Sequence, residues 1–148
     1  DSKHRVFKDE WAKALREVGS HPEYVSLQIK AAQYLHERAF DYRQRLGWTQ
    51  LRAYLFLFDI SVQNGTLKDK HFQKFAAWLD DHPNATEEEQ MLQMLEIRVV
   101  DSNPKWQKDV RTRKTAVIKG TGYVHGEDRN LPVEYCFDPI KTYPDSRP

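Results

Sequence analysis

Apolar residues recur along most of this chain at spacings of three and four, the periodicity of an amphipathic helix. They fall into six runs separated by glycine, proline and polar turns. Phe7, Trp11, Ala14, Leu15 and Val18 form the first stripe, and Gly19 stops it. Pro22, at a favoured first-turn position, opens a longer run through Tyr24, Gln28, Ala31, Ala32, Leu35 and Ala39 to about residue 45, with Gly47 beyond its end. The third run covers residues 51–65, with Thr49 as its expected N-cap. Phe72, Phe75, Ala76 and Leu79 line the fourth, which ends in the turn DDHPNA. Thr86 and Glu89 stand at capping-box spacing before the fifth, which carries Met91, Leu92, Leu95, Ile97, Val99 and Val100. Asn103-Pro104 opens the sixth, with Trp106, Val110 and residues 116–118, and Gly120 closes it. Residues 121–148 are irregular and read as a loop laid over the body, with one short strand near 133–137. The pattern predicts a mainly α fold of about six helices. A single domain is expected, with residues 1–120 as helical body and 121–148 as loop-rich tail, and the sequence shows no internal repeat or linker.

The third run, LRAYLFLFDISVQNG, organises the rest because it sets one acidic residue in the most hydrophobic stretch of the chain. At helical pitch residues 53–58 are buried on nearly every face, and Asp59 goes in with them. A buried carboxylate persists when it is paired and hydrogen-bonded. Two cations on later helices are placed to meet it, Arg98 and Arg113. Gln63, Asn64 and Gly65 then end the helix, and that end is expected to form a cleft wall.

Composition narrows the classes. The 148 residues make about one domain. Twenty-three Lys and Arg against 22 Asp and Glu leave a net charge of +1, which indicates neither a nucleic-acid surface nor a basic membrane patch. Cys136 is the one cysteine, so an internal disulfide and a cysteine-based zinc cluster are excluded. No stretch approaches the roughly 18 apolar residues of a transmembrane helix. The first residues, DSKHRVFKDEW, lack a signal-peptide core and an initiator Met, so the chain is expected to be part of a longer protein. Trp48, beside Gly47, is the aromatic expected to stack on a substrate, and Asn64 and His125 complete the candidate substrate contacts. The histidines show no ligand spacing, and neither metal nor organic cofactor is expected. The basic stretch KWQKDVRTRK, residues 105–114, reads as a solvated helix face, since Asp109 interrupts it.

From Phe7 onward the chain resembles the chitosanase-like glycoside hydrolases of the lysozyme superfamily, through HPEYVSLQIKAAQYLHERAF, LRAYLFLFDISVQNG and RVVDSNPKWQKDVRTRKTAVIKGTG. The resemblance implies a lysozyme-like helical lobe. It also implies action on amino-sugar polymers, and a buried Asp networked with two arginines, here Asp59, Arg98 and Arg113. In that family the acid Glu and the Asp that activates water precede the matching region, where only six residues stand here. The expected catalytic Glu is therefore absent from this chain. Either it lies upstream, in another domain of the same protein, or the domain only binds glycan or protein. The resemblance implies a polysaccharide partner, with neither nucleic acid nor membrane expected. Peptidoglycan is favoured over chitosan, because a polycationic polymer wants a strongly acidic groove. A wall hydrolase would be secreted or directed to the cell envelope.

Overall fold

The computed structural model describes residues 8–63, 65–136 and 138–144. It is mainly helical, with seven α-helices and one two-stranded sheet. The elements are α1 (Asp9–Ser20), α2 (Pro22–Leu46), α3 (Leu51–Gln63), α4 (Asp69–Asp81), α5 (Glu87–Val99), a 3₁₀ turn (Pro104–Trp106), α6 (Gln107–Lys119), β1 (Thr121–Val124), β2 (Glu127–Asn130) and α7 (Leu131–Tyr135). No helix among the described residues is long and apolar enough to cross a membrane.

The chain divides into two compact units, residues 1–36 and 37–148. In the first, α1 has no buried residue, and its stripe of Trp11, Leu15 and Val18 is exposed. Phe7 lies outside the described residues.

The second unit holds the core. Trp48, Ala53, Phe56, Leu57, Ile60, Phe72, Phe75, Met91, Met94, Leu95 and Ile118 meet in one cluster, with α5 packed on both α4 and α6 and with α3 against α6. On α3 the buried apolar positions are 53, 56, 57 and 60, one helical stripe. Tyr54, Leu55, Phe58 and Asp59 are half-buried, so the helix is less enclosed than the unbroken apolar run implies.

The expected caps hold at two ends. Thr86 Oγ1 accepts from Glu89 N–H (3.3 Å) while Glu89 Oε2 accepts from Thr86 N–H (2.8 Å), and Gly120 closes α6 at φ 77°. The start of α3 differs. Thr49 does not cap it; instead Glu87 accepts from the N–H groups of Thr49 (3.0 Å) and Gln50 (2.8 Å). The carbonyls of Lys141 and Pro139 then take the N–H groups of Leu51 (2.7 Å) and Arg52 (3.3 Å). The Gln50, Leu51 and Arg52 donors, which a helix normally leaves open at its start, are thus met from α5 and from the tail.

The tail carries more structure than its composition suggests. β1 and β2 pair antiparallel with Val124 opposite Glu127, so His125 and Gly126 are the two turn residues. Both have positive φ (53° and 90°), as a tight hairpin of matching twist requires. Gly122 brings the hairpin onto α6: a Cβ there would stand 2.9 Å from the Ala116 side chain. Residues 133–135, the first part of the expected strand, belong to helix α7 (Leu131–Tyr135) instead. Asn130 caps it through Val133 N–H, and Pro132 sits in the first turn, where it costs no hydrogen bond. Phe137, the end of the expected strand, lies outside the described residues.

Candidate functional site

Asp59 faces α6 from the later half of α3. Its closest cation is Lys114, whose Nζ donates to Asp59 Oδ2, and Arg113 Nη2 stands 3.8 Å from the same oxygen. Lys114 was not among the expected partners. It stands four residues after Val110 and four before Ile118, on the buried stripe of α6, and its side chain is 1% exposed. A lysine on an apolar stripe was the signal available in the sequence. Burial pushes the Lys114 ammonium below the ordinary lysine range, Asp59 opposes that, and the charges of Arg113 and Arg98 add to it. Arg98 is buried on α5 and belongs to the same neighbourhood. Of the expected partners, Arg113 stands beside Asp59 and Arg98 shares a groove wall with Arg113, while Lys114 holds the position nearest Asp59.

Arg98 and Arg113 line an open groove of about 480 Å³, with Gln63, Asp101, Asn103 and Trp106 also among its walls. Arg113 Nε and Ser102 Oγ, both shielded from solvent, meet no hydrogen-bond partner among the described residues. The 3₁₀ turn, opened by Asn103 Oδ1 accepting from Lys105 N–H (3.0 Å), holds Trp106 at the rim with 54% of its surface exposed.

Asp101 is tied from the side. Buried His71 accepts from Lys68 N–H at Nδ1 (2.9 Å), which leaves its proton on Nε2 to meet Asp101 Oδ2 at 2.9 Å. Lys70 Nζ reaches the same oxygen at 2.5 Å. The hydrogen bonds from Lys70 and then His71 hold the Asp101 carboxyl well below the usual carboxylate range. Burial pushes His71 below the ordinary imidazole range, against the pull of Asp101.

The remaining expected contacts are scattered. Trp48 is a correction: at 2% exposure it belongs to the core, at the other end of α3. Its indole N–H donates to Gln90 Oε1 (2.8 Å), and Phe56 and Phe75 pack on its ring, so no face is left for a sugar. The exposed aromatic beside the groove is Trp106. His125 projects from the hairpin turn, with Nδ1 3.6 Å from Asp109 Oδ1. Asn64 lies outside the described residues. Among the described residues no group of three or more His, Cys, Asp or Glu is placed to hold a metal ion. No protein-family model, curated protein or solved structure matches this chain.

Proposed function

We propose that residues 37–148 are the glycan-holding lobe of a chitosanase-like hydrolase of amino-sugar polymers, with peptidoglycan favoured over chitosan. The observation that carries this reading is Trp106, exposed at the rim of a polar groove lined by Arg98, Asp101 and Arg113, the last of which also reaches Asp59 at 3.8 Å. A half-exposed indole offers a flat apolar face to the C–H side of a sugar ring. Asn103, Gln63 and the carboxylates beside it offer donors and acceptors to the hydroxyls.

The same chemistry limits what the groove does alone. Glycoside hydrolysis uses one carboxyl that stays protonated and a second that activates water or attacks. Asp101 is held ionised by Lys70 and His71. Asp59 gives its carboxylate to Lys114 and Arg113. The acid in this reading comes from sequence beyond this chain, and the ion cluster holds the wall against which that acid works. The ion pairing of both carboxylates also favours a second reading, a domain that binds glycan or a protein partner without cutting.

Release of reducing ends from peptidoglycan and chitosan tests the first reading, run with this chain and with a form extended into its neighbouring coding sequence. Activity confined to the extended form is the expected result. Retention on insoluble glycan without activity in either form moves the binding reading to first place. Activity of this chain alone overturns the placement of the acid, and loss of both retention and activity overturns the glycan reading.

A further inference from the structure

A second groove, of about 450 Å³, adjoins the first and shares Trp106 and Asp109 with it. It lies between the start of α6 and the hairpin. Tyr123 joins Trp106 in its lining, and the two rings are 59% and 54% exposed. They come from separate elements, β1 and the 3₁₀ turn. Neither belongs to the core cluster, so packing alone gives no account of two large aromatics in one exposed groove.

The charges around these rings are mostly positive. Lys105 Nζ stands 4.8 Å from the Trp106 ring centroid. Lys108 lines the same groove and makes no ion pair among the described residues. The carboxylate of this lining, Asp109, stands near His125 at 3.6 Å. The 105–114 stretch is therefore more than a solvated face: its first turns present two ammonium groups beside two exposed rings, with the Lys105 ammonium over one face of Trp106.

We propose that this groove is a subsite for an acidic amino sugar, whose ring rests on Trp106 and Tyr123 and whose carboxylate lies between Lys105 and Lys108. The inference rests on the glycan reading above and adds to it the sign of the charge the sugar carries. A single-stranded nucleic acid also takes aromatic and basic side chains, but it brings a phosphate at every residue. Asp109 and Asp101 interrupt the cations along the two grooves, and the whole chain carries a net charge of only +1. A strand with carboxylates on some of its rings needs cations only locally, and its hydroxyls use the intervening carboxylate as an acceptor.

The test titrates the chain with three soluble oligosaccharides of equal length: neutral N-acetylglucosamine, cationic glucosamine, and a peptidoglycan glycan strand freed of peptide and bearing its carboxylates. Dissociation constants and the Trp106 indole N–H resonance are followed at low salt and at 0.5 M added salt, roughly beyond the reach of exposed charges. The expected result is about tenfold tighter binding of the acidic strand than of the neutral one, as two exposed charge contacts supply. The indole resonance shifts, and the preference vanishes both at high salt and in the surface double variant Lys105→Gln/Lys108→Gln. Equal binding of acidic and neutral strands, or a preference that survives the double variant, overturns the acidic subsite and leaves the glycan reading standing. Tightest binding of the glucosamine oligomer also overturns it, with the sign reversed. If no oligosaccharide binds, the glycan reading fails and the subsite with it, and binding of a single-stranded oligonucleotide in their place assigns the groove to nucleic acid.

Discussion

The two ends of α3 carry charges that oppose the helix's own dipole, and they are handled differently. Arg52 sits in the first turn, where a helix favours anions, and Asp59 lies toward the end, where it favours cations. Neither placement stabilises an isolated helix. At the first end, neighbours close the site. Arg52 Nη1 reaches Glu88 and the Ile118 carbonyl (2.9 Å) at the end of α6, while Nε donates to Gln50 Oε1 (2.6 Å). Glu87 and residues 139–141 seal the surrounding N–H groups, and Tyr143 stacks flat on Tyr54 with centroids 4.3 Å apart. At the other end, Lys114 and Arg113 converge on one carboxylate beside Arg98, and the cluster opens to a groove. One end is a structural joint with its polar groups spent. The other keeps positive charge and polar capacity facing a groove.

The contrast breaks most severely at the open end. Asp59→Ala strands Lys114 in the core and should cost about 3–5 kcal/mol, because the loss of one partner leaves an uncompensated buried charge. Urea unfolding measures it, and a loss below about 1 kcal/mol would show that the cluster is not integral to the core. The double variant Asp59→Ala/Lys114→Met should recover most of the loss, since no buried charge then remains.

At the closed end the expected effect is smaller. Arg52→Ala leaves the Ile118 carbonyl without its donor, but the Glu88 side chain, 37% exposed, turns to water. About 1–3 kcal/mol is expected, with the proposed glycan binding unchanged. A loss of binding as large as that of Trp106→Ala would erase the distinction between the two ends.

The smallest change is Tyr143→Ala, which removes one stacked ring at about 0.5–1.5 kcal/mol. Its sharper reading is in the Tyr54 titration. Burial, and then the charge and hydrogen bond of Tyr143, push the Tyr54 phenol up to about 12. Ultraviolet titration of the variant should move that ionisation back toward the ordinary value near 10. Because the folded chain holds the proton more tightly, Tyr54's contribution to stability is complete below about pH 10 and is lost as the pH climbs toward about 12. An unmoved titration would show that the tail does not cover α3 in solution.

The mainly helical fold was legible in the spacing of apolar residues, and so were the Thr86 and Gly120 caps, since these depend on neighbours three or four residues apart. Pro132 is equally local, but the aromatic and β-branched residues around it read as a strand. The hairpin was harder to read, because His-Gly is a weak form of the turn pair that marks two-residue hairpins. Trp48 was misplaced because an indole beside a glycine reads the same whether core or solvent lies over it. Only the packing of Phe56 and Phe75 distinguishes the two.

The sequence by itself determined that Asp59 would need a cation, since burial makes an unpaired carboxylate costly wherever it falls. Which cation answers was decided in three dimensions. Lys114 and Arg113 are adjacent on α6 and carry the same charge, and the approach of α6 to α3 sets Lys114 against Asp59 and leaves Arg113 at the groove. The same holds for the start of α3, where the groups that meet its N–H donors come from residues more than thirty positions away. Local spacing encodes which groups must be satisfied, and only the packing of distant elements determines what satisfies them.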